Sequence, residues 1–272
     1  MTSAPHSPEM PDPVQRFALA QSSPELWKNG RGMTRTLLTQ SVASRHPAGE
    51  PPPWSWRISV AELQANGPFS VFDDVDRTLI LLSGGELILH RPDGRAVLDR
   101  PGAQVSFRGE ESIQATITPA PAQALNVMAR RGSVRSTVRV ISGHAGATPE
   151  QHSGTEEHTE GQGSPQTTAA FVVAGRYEIA AFDASGRCQT LTLHAGEGAA
   201  INRSVYPRLR VQLVARACGE LDQGRLVSPP GSSDEIRPEA LNTPLGSGIA
   251  PAPWLILITL ESATDVRIPS AP

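Results

Sequence analysis

Near the start of the chain, the stretch ELWKNGRGMTRTLL (residues 25–38) sets Lys28, Asn29, Thr34 and Arg35 around two glycines, Gly30 and Gly32. Lys28 and Arg35 are fixed cations at neutral pH, and Asn29 both donates and accepts hydrogen bonds. The glycines let a ligand approach the backbone closely. A guanidinium grips a carboxylate through two parallel hydrogen bonds, which no neutral side chain can do. Recognition of a small carboxylate is therefore the chemistry this cluster could perform. The same residues also suit a plain hairpin, with Asn29-Gly30 as the turn and the cations in water.

Further polar residues lie on strand-like segments. In WSWRISVA (54–61), apolar Trp54, Trp56, Ile58 and Val60 alternate with Ser55, Arg57 and Ser59, the period of a half-buried strand. Arg57 and Ser59 share a face, which is either a barrel mouth or an exposed sheet surface. Asn126 shares a face with Met128 and Arg130 in ALNVMAR (124–130), a position that suits either a pocket or a satisfied core site. Arg77 beside Asp76 reads as a surface ion pair, worth under about 1 kcal/mol. Trp27, Trp54, Trp56 and Trp254 read as core or rim packing.

The elements that must position these residues are strands. Short runs such as RTLILL (77–82), ELILH (86–90), AQVSF (103–107) and SIQATIT (112–118) are separated by Gly84-Gly85, Pro92-Asp93-Gly94 and Pro101-Gly102. VAELQANG is the best candidate for a single helical turn. The second half repeats the first in order: LLSGGELIL resembles FVVAGRYEIA (171–180), LDRPGAQVSF resembles LTLHAGEGAAI (191–201), and ALNVMAR resembles RVQLVAR (210–216). Two antiparallel β-barrels or sandwiches related by duplication explain this best. The expected organisation is a disordered tail over 1–13, a barrel over 14–142, a disordered linker over 143–168 and a second barrel over 169–272. A long loop is expected at about 219–252.

The 272 residues are 38% hydrophobic and only 4% aromatic, so the core rests on Leu, Val, Ile and Ala. A net charge of −3 gives no footprint for nucleic acid. No apolar run reaches the roughly 18 residues of a bilayer span. MTSAPHSPEMPDP lacks the basic and apolar regions of a secretory signal. Cys188 and Cys218 form no CxxC pair and read as inert thiols. A cytoplasmic location follows as the expectation, with no membrane or nucleic-acid partner.

LWKNGRGMTRTL resembles the opening motif of the HutD/Ves family, duplicated-cupin proteins. The blocks Trp56-Arg57-x-Ser59-x-Ala61-Glu62, Gly67-Pro68-Phe69-Ser70 and Asp76-Arg77 follow in that family's order, as does LNVMARRG (125–132). Leu26 departs from the family's proline, Arg31 from its middle glycine and Thr36 from an acidic residue. The resemblance implies an all-β bicupin: two RmlC-like jelly-roll barrels related by duplication, with little helix. It also implies a carboxylate ligand such as urocanate, formiminoglutamate, formylglutamate or formate, and a regulatory or protective role in histidine or amino-acid catabolism.

On that reading the ligand-binding residues are Lys28, Asn29, Thr34, Arg35, Arg57, Ser59 and Asn126. A metal-bearing cupin carries an HxH pair with a Glu on one strand and a later His, because alternate strand residues face one interior. Here GELILH leaves His90 alone, GRYEIA has no His, and His194 lies in the other half. His144, His152 and His158 fall in the linker, so no metal, no cofactor and no catalytic residue are expected. Two alternatives stay open: a metal-dependent cupin isomerase or dioxygenase, and a structural β protein. Homodimerisation through strand edges is compatible with each.

Overall fold

The computed structural model describes residues 12–27, 30–41, 54–142, 166–214 and 252–263. Lys28, Asn29, most of the tail, linker and 219–252 segments, and Cys218 lie outside the described residues. From the N-terminus the strands are β1 (Val14–Ala18), β2 (Pro24–Leu26), β3 (Gly32–Ser41), β4 (Trp54–Leu63), β5 (Gly67–Pro68), β6 (Val75–Ser83), β7 (Glu86–Arg91), β8 (Gly94–Leu98) and β9 (Gln104–Arg108). There follow β10 (Gln114–Thr118), β11 (Ala122–Arg130), β12 (Val134–Ser142), β13 (Gln166–Ala174), β14 (Arg176–Phe182), β15 (Cys188–His194), β16 (Glu197–Asn202), β17 (Arg208–Leu213) and β18 (Trp254–Ser262). The described residues hold no α-helix, only a 3-10 turn at Leu19–Gln21. No helix among them is long and apolar enough to cross a membrane.

These strands form four sheets, ordered β5-β10-β7-β8, β2-β3-β4-β11-β6-β9, β1-β16-β13-β18-β12 and β15-β14-β17. Every pairing is antiparallel. The six-stranded and five-stranded sheets face each other through Trp56, Ile58, Ile80 and Val127 on one side and Phe171, Ile256 and Ile258 on the other. The outer face of the six-stranded sheet covers the four-stranded sheet through Leu79, Leu81, Leu87 and Leu89. The outer face of the five-stranded sheet covers the three-stranded one through Val172, Leu255, Tyr177 and Ile179. The two central sheets are therefore buried on both faces, and their strands read as continuous apolar runs such as TLILL and WLILITL. The two outer sheets keep one wet face and show the alternation of ELILH and LTLH.

Duplication is written in the pairing. β6 lies between β11 and β9, and β7 between β10 and β8; β13 lies between β18 and β16, and β14 between β17 and β15. Segments β6–β11 and β13–β18 thus have one topology. The first two sequence matches align with it, but the third does not. β17 pairs with β14 as β10 pairs with β7, so RVQLVAR corresponds to SIQATIT, and the partner of ALNVMAR is WLILITLES.

Several other expectations change. VAELQANG supplies the end of β4 rather than a helical turn, because Leu63 is buried inside the first barrel. Residues 166–168, placed in the linker, open β13, where Thr168 is buried and pairs with Thr259 and Ile201. Pro13, placed in the tail, accepts a hydrogen bond from Asn202 N. Sheet membership also crosses the boundary set at 142: β12 pairs along its whole length with β18, and β1 pairs with β16.

Candidate functional site

WSWRISVA is not half-buried. β4 sits inside the six-stranded sheet, so Trp56, Ile58 and Val60 face the five-stranded sheet while Arg57, Ser59 and Ala61 face the interior of the first barrel. Ser59 is 1% exposed, Arg77 6% and Asn126 7%. Register sets their spacing. Met128 pairs with Arg57 on one side and Arg77 on the other, and Asn126 pairs with Ser59 and Leu79. Since alternate residues share a face, two adjacent rows of one sheet surface read Arg57–Met128–Arg77 and Ser59–Asn126–Leu79. Farther along the same strands the interior is apolar, with Ala61, Leu63, Leu81 and Ala124. The barrel is filled by hydrocarbon at one end and lined by polar groups at the other.

At that polar end lies a cavity of about 70 Å³, bordered by Trp27, Thr34, Arg57, Ser59, Ala61, Phe69, Ser70, Phe72, Arg77, Leu79 and Asn126. Its walls are held from three directions. Trp27 donates its indole N–H to Thr34 Oγ1 at 2.8 Å, which fixes the ring over the cavity. The segment after β5 is tied down by Phe69 N to Ile113 O and Phe72 N to Gly109 O, both 2.9 Å. Asp74, in the left-handed region at φ 57°, ends that segment; its N–H donates to Glu110 Oε1 at 2.8 Å and its carbonyl accepts from Arg131 N.

The two guanidinium groups define the electrostatics. Arg77 donates from Nη1 to Ser70 O at 3.0 Å and lies over the rings of Phe69, Phe72 and Phe107, at 5.5, 5.4 and 4.8 Å. Arg57 donates from Nη2 to Met128 Sδ at 3.4 Å and lies over Trp54 and Phe72. Neither has a carboxylate at ion-pair distance among the described residues. Burial pulls Arg77 down to about 10, and the neighbouring Arg57 charge pulls the same way. Burial also lowers Arg57, against a smaller opposing influence from the Glu25 carboxylate. Arg57 Nε, Arg77 Nε, Ser59 Oγ and Asn126 Oδ1 are buried with no hydrogen-bond partner among the described residues. A charge withdrawn from water without a counter-charge is costly. An anion in the cavity would offset that cost, because hydrogen bonds to charged groups contribute about 1.5–3 kcal/mol each.

Of the residues picked out in the sequence, the fold brings Thr34, Arg57, Ser59 and Asn126 together. Arg35 is not among them. Its neighbour Thr34 faces the cavity, so strand alternation turns Arg35 to the opposite face, where it donates to Ser22 O at 2.5 Å and holds the chain beside the 3-10 turn. Arg77 is buried and is not half of a surface pair with Asp76. Asp76 instead accepts from Arg131 Nε at 3.0 Å, while Arg77 follows the buried alternation of Leu79 and Leu81. That alternation was a usable signal, obscured by the adjacent opposite charge.

The glycine-rich opening is scaffolding for this wall. Gly30 takes φ +67°, Gly30 N donates to Trp27 O at 2.9 Å, and Trp27 N donates to Gly32 O at 3.0 Å. A Cβ on Gly32 would run into the Glu62 carbonyl oxygen and lie 3.2 Å from the Trp27 ring. Arg31 leaves the turn and donates to Asn66 O at 2.6 Å, occupying space that a side chain at Gly67 would fill.

A cation does not suit this donor set, which offers two guanidiniums and no imidazole or carboxylate. Among the described residues no three His, Cys, Asp or Glu side chains come together as a metal-holding group. His90 bonds Thr116 Oγ1 at 3.0 Å on the outer four-stranded sheet, and His194 lies exposed on β15 at the other end of the molecule. Cys188 is an exposed free thiol.

The geometry agrees with relationships to known proteins. Over 128 residues the chain is 30% identical to Protein Ves of Citrobacter koseri, a match covering 47% of this chain and 63% of that protein, so it spans less than two thirds of the length of this curated relative. In fold it is similar to a conserved protein of unknown function from Pseudomonas aeruginosa PAO1, with a TM-score of 0.59 at 15% identity over 92% of this chain and 99% of that one. HutD from Pseudomonas fluorescens SBW25, solved in a formate condition, gives 0.57 at 14% identity over 92% and 98%. Protein Ylba from E. coli gives 0.54 at 11% identity over 94% and 93%. The HutD family model matches residues 19–218, well over half of the sequence, and the chain therefore belongs to the HutD family, with an all-β bicupin fold.

Proposed function

We propose that the protein binds a small carboxylate at the polar end of its first barrel, in a regulatory or protective role in histidine or amino-acid catabolism. The observation that carries this reading is the pair of guanidiniums, buried Arg77 and half-buried Arg57, with no carboxylate at ion-pair distance among the described residues, beside an open cavity. Ser59 and Thr34 add hydroxyl groups on the same surface. A volume of about 70 Å³ suits a carboxylate group with a short stem. Membership of the HutD family supports the pathway context.

The test compares formate and acetate with formamide and acetamide by thermal shift and calorimetry at constant ionic strength. The acids raise Tm and the neutral amides do not. At 100 times the dissociation constant, linkage gives about 2.7 kcal/mol of stabilisation. Equal shifts from acid and amide, or none from either, reject a carboxylate site.

A further inference from the structure

We infer that the anion taken by this pocket carries its own hydrogen-bond donor close to the carboxylate, making the ligand class hydroxy or N–H-bearing carboxylates rather than simple fatty acids. The inference rests on the carboxylate reading above and adds to it a requirement at Asn126. Three of the four unpartnered buried groups at the site, Arg57 Nε, Arg77 Nε and Ser59 Oγ, can donate to an anion. Thr34 Oγ1 already accepts from Trp27, so its hydroxyl proton also remains free to donate. Asn126 Oδ1 is different: it is an acceptor, buried and without a partner among the described residues. An anion brings only more acceptors, so a carboxylate alone leaves Oδ1 unpaired.

The spacing allows one molecule to satisfy both. Asn126 stands one row from Met128 on the same face, about 7 Å along the strand, and Met128 pairs with both arginines. By the measure in which one water needs roughly 10–15 Å³, a cavity of about 70 Å³ holds a few non-hydrogen atoms. A two-carbon hydroxy acid fits that room, with its carboxylate on the guanidiniums and its O–H on Asn126.

The experiment titrates the full chain with acetate, glycolate and methoxyacetate at pH 7 and fixed ionic strength. Glycolate binds about three- to tenfold more tightly than acetate, the range expected of one hydrogen bond to a buried acceptor. Methoxyacetate, which keeps the oxygen but loses the donor, binds more weakly than glycolate. In Asn126→Leu the glycolate preference falls within about twofold; the ligand series on the unaltered protein decides the matter even if that variant does not fold. Acetate equal to glycolate, as when water or a turned amide serves Asn126, overturns this inference and leaves the carboxylate site standing. Methoxyacetate equal to glycolate overturns it likewise. Binding of none of the three overturns both.

Discussion

Arg57 and Arg77 share one aromatic ring. Their guanidinium carbons lie 5.5 and 5.4 Å from the centroid of Phe72, so two like charges meet at a single quadrupole. Cation–π attraction of this kind contributes about 0.5–2 kcal/mol per contact. It softens the burial of the charges without neutralising them, and it ties their position to the segment that carries Phe72.

The charge at Arg77 should serve the ligand rather than the fold. In Arg77→Met, apo stability should be unchanged or higher by about 1–4 kcal/mol, as when buried ionic groups are replaced by hydrocarbon of similar size. The carboxylate-dependent rise in Tm should disappear. Melting curves with and without acetate check both; a variant that keeps the ligand shift removes Arg77 from the site.

Arg35→Ala should behave in the opposite way. Losing the bond to Ser22 O costs about 1–3 kcal/mol of stability. The dissociation constant for a carboxylate should stay within about twofold of wild type, because Arg35 faces away from the cavity. Chemical denaturation and calorimetry measure the two quantities separately.

Gly32→Ala should damage the wall itself. The added methyl group meets the Glu62 carbonyl and presses on Trp27, which forms part of the cavity lining. Overpacking of this kind costs about 1–3 kcal/mol. Trp27 fluorescence should change along with the stability, whereas Gly30→Ala, in an open turn, should show only the strain of its positive φ.

The Glu110 clamp should give a pH signature. Arg131 hydrogen bonds hold its carboxyl at about 2, well below the ordinary value, with help from backbone N–H groups including that of Asp74. A lowered carboxyl contributes stability that is fully present above its unfolded pKa, near 4.5, and lost as pH falls toward 2. Wild type should therefore melt above Glu110→Gln at pH 7, and the gap should narrow as pH falls below about 5 and close only near pH 2. A gap independent of pH would show that the carboxylate charge is not what pins the Asp74 turn.

The sequence by itself determined the strand-rich class, two of the three duplicated matches and the family, because alternation, glycine turns and motif spacing are local and survive in one dimension. It also placed Arg57, Ser59 and Asn126 on strand faces and named Thr34 among the candidate ligand-binding residues. Only the tertiary structure decided which faces look inward. WSWRISVA alternates like a half-exposed strand, yet the second barrel covers its apolar side and the first encloses its polar side, so Arg57 and Ser59 became a cavity lining. Arg35 turned away from the cavity and Arg77 turned into its lining for the same reason. A one-residue step along a strand reverses the direction of a side chain, and charge alone carries no record of that direction. The pairing of β11 with both β4 and β6, which sets the two arginines on either side of Met128, joins residues 57, 77 and 128 that no local pattern connects.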